Sequence, residues 1–240
     1  MNKTYKCIDC FCGAGGLCLG LIQAGFDILY SFDIEAKAIA TINANPKYFK
    51  NHKAETRDIY DVKTAELLKS LNFKSGELDL LAGGPPCQGF SVQRIGADLD
   101  ERNHLVEEYI SKVIAIRPKL FILENVPGIE GKRGKNILHS ALAKVEECGY
   151  FIHEKILDAQ DYGVPQRRRR VVIVGERKDH KIPLFEYPKP QEHKITVREA
   201  IAYLPEPPED GSDHPHISLH RRDRLSAKNI ARLQALKPGQ

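Results

Sequence analysis

The chain predicts an α/β domain with a mostly parallel sheet and helices on both faces. Three observations carry that prediction. Short apolar runs alternate with segments whose apolar residues recur at helical spacing, the rhythm that builds parallel sheets. A glycine-rich turn, Gly13-Ala14-Gly15-Gly16, falls between the first strand and the first helix. An acid, Asp33, then closes the second strand, as expected where an open α/β sheet grips a ribose.

The elements follow in order. Tyr5 to Asp9 reads as a strand, and Leu17, Leu19, Leu21 and Ile22 open a helix that stops at Gly25. Phe26 to Phe32 is a second strand, and Ala36 to Ala44 a helix with Pro46 beyond it. A shorter unit runs toward Arg57-Asp58-Ile59, and a helix fits Val62 to Leu71. Leu78 to Ala82 is a fourth strand. Asp100 to Ile116 has Leu105, Val106, Tyr109, Ile110 and Val113 at helical spacing, and Pro118 ends it. Leu120 to Leu123 is a fifth strand, and Lys135 to Cys148 a helix closed by Gly149. Phe151 to Leu157 and Val171 to Gly175 complete the sheet. From Ile182 the pattern fades: seven of the 14 prolines lie between Pro183 and Pro215, so the segment reads as an extended connector, followed by a short helix from Ala227 to Leu236. The expected division is 4–180 for the α/β part and 181–240 for the connector and its helix.

Composition narrows the class. Hydrophobic residues at 42% can build a core, and a mean hydropathy of -0.39 marks a soluble chain. No apolar run reaches the ~20 residues of a membrane span, so no membrane partner is expected. Four of the six cysteines precede residue 19, unlike a secreted disulfide framework, and a reducing cytoplasm is expected. Cys7-x-x-Cys10 lacks a second metal-binding pair, so it reads as strand packing and not as a zinc site. The net charge of +4 says little about partners, although Arg167 to Arg170 concentrates cations that suit phosphates.

Chemistry-bearing residues gather at strand ends. Gly83-Gly84-Pro85-Pro86-Cys87 places one thiol on a stiff loop after the fourth strand, where ligands collect in open sheets. A lone cysteine is more often a packing residue, so the loop matters only together with its neighbours. Glu124 ends the apolar fifth strand, where a carboxylate costs desolvation unless it has a partner or a task. Asp58 could accept from an adenine amine, and Asp33 could take a ribose hydroxyl or cap the following helix. The glycine spacing departs from the dinucleotide fingerprint and favours another adenosine-containing cofactor.

Five segments in order then carry a resemblance: Asp9-x-Phe11-x-Gly13-x-Gly15-Gly16, Gly84-Pro85-Pro86-Cys87-Gln88-Gly89-Phe90-Ser91, Asp100-x-Arg102-Asn103-x-Leu105, Glu124-Asn125-Val126 and Gln166-Arg167-Arg168-x-Arg170. Across about residues 4 to 178 the chain resembles the DNA (cytosine-5)-methyltransferases of restriction–modification systems. The resemblance implies a Rossmann-like fold that uses S-adenosylmethionine, with double-stranded DNA as partner and a bacterial or phage source. It implies that Cys87 is the nucleophile on a flipped cytosine, Glu124 the acid at ring nitrogen 3, Arg170 the contact to the exocyclic oxygen and Arg168 a brace. Phe11, Gly13, Ala14, Gly15, Gly16 and Leu17 would line the methionine side. Asp33 would hold the ribose, Ile34 would pack on adenine and Asp58 with Ile59 would meet its amine, while Gly83, Pro85 and Leu105 would line the rest. Ile34 is aliphatic where several relatives carry an aromatic.

Relatives continue into a target-recognition domain and a final motif that these 240 residues lack. Two readings follow: the large subunit of a split enzyme, completed by a second chain, or a truncated product. The loop-like sequence Leu236 to Gln240 favours the first. Two functional alternatives stand beside the leading one: methyl transfer to cytosine in tRNA, and a non-catalytic cofactor- or nucleic-acid-binding subunit.

Overall fold

In the computed structural model the protein is described at residues 4–49, 52, 54–86, 104–130, 132–223 and 225–236. Seven strands form one sheet: β1 (Tyr5–Cys10), β2 (Phe26–Asp33), β3 (Ala54–Thr56), β4 (Leu80–Gly83), β5 (Leu120–Asn125), β6 (Tyr150–Asp158) and β7 (Arg169–Arg177). Their order is β3-β2-β1-β4-β5-β7-β6. The pairs from β3 to β5 are parallel, and β7 runs antiparallel between β5 and β6. Strand order reverses between β1 and β4, so their carboxyl ends open a crevice. The glycine turn leaves one of those ends and the loop toward Cys87 leaves the other.

Helices α1 (Gly16–Gln23), α2 (Ala36–Asn43), α3 (Thr64–Ser70), α4 (His104–Ile116) and α5 (Lys132–Glu147) connect the strands. Two buried clusters show that both faces of the sheet are covered. Alternation sends Cys7, Ile28, Leu80 and Ala82 into one cluster with Leu21 of α1 and Ile39 of α2. It sends Ile8, Cys10, Phe32, Leu81, Phe121 and Leu123 into the other, with Leu68, Tyr109 and Leu138 of α3, α4 and α5. Cys7 and Cys10 thus occupy opposite faces, where each packs as a small hydrophobe.

Most boundaries shift from the sequence reading, and three differences have a structural reason. The third helix starts at Thr64, because Ile59–Asp61 forms a separate 3-10 turn capped by Asp58 and Val62 is buried after it. The last strand starts at Arg169, since pairing with β6 continues through Leu157–Arg170 and Asp158–Arg169. The connector also contains α6 (Val197–Ile201), opened by a capping box between Thr196 and Glu199. That T-x-x-E spacing is visible in the sequence but too close to prolines to stand out. The C-terminal helix is α7 (Ala227–Gln234).

The connector is tied to the sheet. The buried Glu176 carboxylate accepts from the Leu184 and Phe185 amides at 2.9 Å, and the Tyr187 hydroxyl lies within hydrogen-bond reach of the carbonyls of His153 at 2.8 Å and Val172 at 2.7 Å. A buried carboxylate is tolerable only with such donors.

Asp9 is an acid on the strand that leads to the crevice. It is fully buried in β1, accepts from the Cys18 thiol at 3.0 Å and leaves Oδ1 without a partner. Burial pushes its pKa up to about 7, and the negative Asp33 nearby adds to the rise. Between about pH 4 and 7 the folded protein therefore holds a proton that the unfolded chain has released. Stability falls as pH rises through that window. The Asp9→Asn variant is expected to lose this dependence. Urea midpoints at pH 4.5 and 8 should differ less in the variant, the wild type giving up roughly 3 kcal/mol more over the interval. Parallel pH profiles would refute the assignment.

Candidate active site and cofactor cleft

A cleft of about 690 Å³ opens beside the carboxyl ends of β1, β2 and β3. Its lining combines Phe11, Asp33, Ile34, Asp58, Ile59 and Leu105 from the sequence reading with Phe32, Arg57, Tyr60, Pro86 and His104, which that reading did not single out. The cleft belongs where strand order reverses, because neighbouring connections there leave on opposite faces of the sheet.

The turn after β1 is built by backbone strain and two glycines. Phe11 sits at φ 59, a conformation bulky residues rarely adopt outside functional sites. Gly15 sits at φ 89, and a Cβ there would lie 2.7 Å from the Phe49 ring, so no larger residue fits without movement. Gly13, at φ 52, donates its amide to Asp33 Oδ2 at 2.9 Å, while the Glu35 amide donates to Asp33 Oδ1 at 2.9 Å. Asp33 therefore locks the glycine turn to the end of β2, and each oxygen keeps a second lone-pair direction for a hydroxyl donor. Ala14 and Gly16 are exposed on this turn, Leu17 is half-buried and Ile34 is 68% exposed at the mouth. Asp58 Oδ1 accepts from the Tyr60 amide at 3.1 Å, which holds the 3-10 turn in place.

The second group lies at the ends of β4, β5 and β7. Arg170 Nε is 2.7 Å from Glu124 Oε1, with both side chains only partly exposed. Antiparallel pairing brings them together, because Glu124 pairs with Val172 and Asn125 with Val171, leaving Arg170 beside the end of β5. Gly84 packs against the same carboxylate, since a Cβ there would be 3.3 Å from Glu124 Oε2. Gly83 and Pro85 are buried. A Cβ on Gly83 would stand 2.6 Å from the ring of Tyr109, whose buried hydroxyl lies within hydrogen-bond reach of the Leu81 and Ile122 carbonyls at 3.0 and 2.7 Å. Gly83 thus permits α4 to approach β4. Arg168 is exposed and precedes β7, and its amide donates to Asp158 Oδ1 at 2.9 Å. Cys87 lies outside the described residues, which resume at His104.

Asn125 links the two strand ends. Its buried amide donates to the Pro85 carbonyl at 2.9 Å, and its Oδ1 accepts from the Val126 amide at 2.8 Å. The peptide two residues before Cys87 is thereby fixed against the residue next to Glu124. Asn125→Ala is expected to cost about 1–3 kcal/mol in a urea melt, because two backbone groups lose their partner. A melt within about 0.5 kcal/mol of wild type would show that the two strand ends need no such link.

Comparison with known proteins bears on this arrangement. A family description, C-5 cytosine-specific DNA methylase, matches residues 5–237. The chain belongs to this family. Type II methyltransferase M.AgeI of Thalassovita gelatinovora is 38% identical over 226 residues, 92% of this chain and 50% of that protein. Type II methyltransferase M1.HphI of Haemophilus parahaemolyticus is 38% identical over 243 residues, 100% of this chain and 62% of that protein. The chain thus spans about half to three-fifths the length of the curated relatives it matches. A prophage-encoded protein of E. coli superimposes with a TM-score of 0.72 at 32% identity, over 85% of this chain and 56% of that one. The Spodoptera frugiperda DNMT2 structure shares the fold, with a TM-score of 0.58 at 23% identity over 80% and 55% of the two chains. The Rossmann-like α/β fold expected from the sequence is therefore the fold of this family. Among the described residues no helix is long and apolar enough to cross a membrane.

Proposed function

We propose that this chain carries the cofactor-binding and catalytic machinery of a DNA (cytosine-5)-methyltransferase, moving a methyl group from S-adenosylmethionine to carbon 5 of cytosine in double-stranded DNA. The observation that carries the reading is the Arg170–Glu124 pair at 2.7 Å, set at the strand ends between the start of the Cys87 loop and the neighbouring β7. A guanidinium holding a carboxylate forms a planar polar edge, which suits the edge of a cytosine.

The residues of the cleft fit the cofactor. Asp33 is aimed by two amides and keeps acceptor capacity for a ribose, and Asp58 has an oxygen beyond the one that caps its turn. Phe11, Ile59 and Leu105 give the cleft apolar surface for the rest, with the open turn from Gly13 to Leu17 next to it. When bound, S-adenosylmethionine supplies an activated methyl group.

The chain's own residues do the remainder. Cys87, as thiolate, adds to carbon 6 of a cytosine flipped out of the duplex, which makes carbon 5 electron-rich. Glu124 hydrogen-bonds or protonates ring nitrogen 3, and Arg170 holds the exocyclic oxygen, so charge developing on the ring meets fixed partners. Arg168 braces the pair. After carbon 5 is methylated, a base removes its proton, the ring regains its double bond and Cys87 leaves.

Residues 4–180 carry this chemistry in the cytoplasm, and 181–240 lead toward the element that reads the target. That element is proposed to lie outside these 240 residues, either on a second chain or on a further part of the protein such as relatives up to twice as long contain. The test measures labelled-methyl incorporation into duplex DNA and into tRNA, with and without the product of the adjoining gene. Incorporation into DNA only with both chains is expected. Incorporation into tRNA alone would overturn the substrate, and full sequence-specific activity from the 240 residues would overturn the second chain.

A further inference from the structure

The cofactor cleft holds an aromatic side chain whose placement gives it a task. A purine makes its hydrogen bonds at its edge and gains most from flat surfaces against its faces. Ile34 offers only a branched aliphatic wall. Of the ring-bearing residues in the cleft, Phe32 is 1% exposed and is committed to the core, and Phe11 packs on that core at the end of β1. His104 is held to Glu107 at 2.9 Å on the first turn of α4. Tyr60 is 52% exposed and stands on the same short turn as Asp58.

That turn is rigid. The Tyr60 amide donates to Asp58, so the ring and the carboxylate share one three-residue frame. The buried Lys112 ammonium donates to the Val62 carbonyl at 2.7 Å and pairs with Glu108 at 2.7 Å, which ties the end of the turn to α4. α4 in turn supplies Leu105 to the cleft. The backbone that carries the ring is therefore fixed beside the acceptor for an exocyclic amine.

We propose that Tyr60 packs on the adenine ring of the cofactor and, with Asp58, makes this cleft selective for adenosine-bearing ligands; this rests on the S-adenosylmethionine reading above. The test titrates the 240-residue chain with S-adenosylhomocysteine by calorimetry, and follows the adenine H2 and H8 resonances for the upfield shift that an aromatic ring imposes. Tyr60→Phe should bind within about 2-fold of wild type and keep the shift. Tyr60→Ala and Tyr60→Leu should bind at least about 10-fold more weakly, about 1.4 kcal/mol, and lose it. Thermal melts within a few degrees of wild type would show that the variants are folded, as the exposed position favours. Wild-type affinity and shift in Tyr60→Leu would overturn the role of Tyr60 while leaving the cofactor reading intact. No binding by the wild-type chain at millimolar ligand would overturn the cofactor reading, and this proposal with it.

Discussion

Cys87→Ser is expected to abolish methyl transfer to cytosine, lowering kcat by at least about 10³-fold with little change in DNA affinity. The reason is chemical. A cytosine ring is a poor carbon nucleophile until carbon 6 carries an added group, and only a thiolate combines high nucleophilicity with a pKa near ambient pH. A serine hydroxyl in the same place stays protonated and adds too slowly. Two readouts separate this from a folding defect. The wild type, given its target-recognition element, should form an adduct with 5-fluorocytosine DNA that survives denaturation, because the missing carbon 5 proton prevents release. The serine variant should bind the same DNA without the adduct. Turnover within 10-fold of wild type would remove the covalent mechanism from this chain.

The second large effect falls on the Glu124–Arg170 pair. Glu124→Gln keeps the shape of the side chain but loses the charge that meets Arg170 at 2.7 Å, and it cannot give a proton to ring nitrogen 3. The expected loss in kcat is about 10²–10³-fold, or roughly 3–4 kcal/mol of transition-state stabilisation. Arg170→Lys keeps the positive charge but loses the planar fork, and should fall by about as much. The double variant should be little worse than either single one, since both residues act on one ring as a unit. Multiplicative losses would show that they work separately. Losses under about 3-fold would place the pair outside the chemistry.

Much of this site was legible before any coordinates. Glycine turns, an acid at a strand end and a proline-flanked thiol each need a particular backbone or chemical property, and such needs leave local marks. Asp33, Ile34, Asp58 and Leu105 then fall on one cleft because a parallel sheet delivers every strand's carboxyl end to the same edge. Other parts left no mark. Nothing local in Tyr60 distinguishes it from a surface tyrosine, and Lys112 reads as one more helical lysine until its ammonium is found on the Val62 carbonyl. Asn125 could be read as a partner for Glu124, yet its amide reaches Pro85, 40 residues away. Gly83 reads as ligand lining, and the ring of Tyr109 adds a packing reason for the absent side chain.

The sequence by itself determined the strand–helix rhythm, the two-faced core and the glycines, acids and thiol that stand at strand ends, because periodicity and turn chemistry are set by neighbours along the chain. Only the tertiary structure decided that β7 enters between β5 and β6 and sets Arg170 on Glu124, and that Asp9 is buried with an unpartnered oxygen. Pairing partners and desolvation depend on what packs from distant parts of the chain, and no local pattern encodes them.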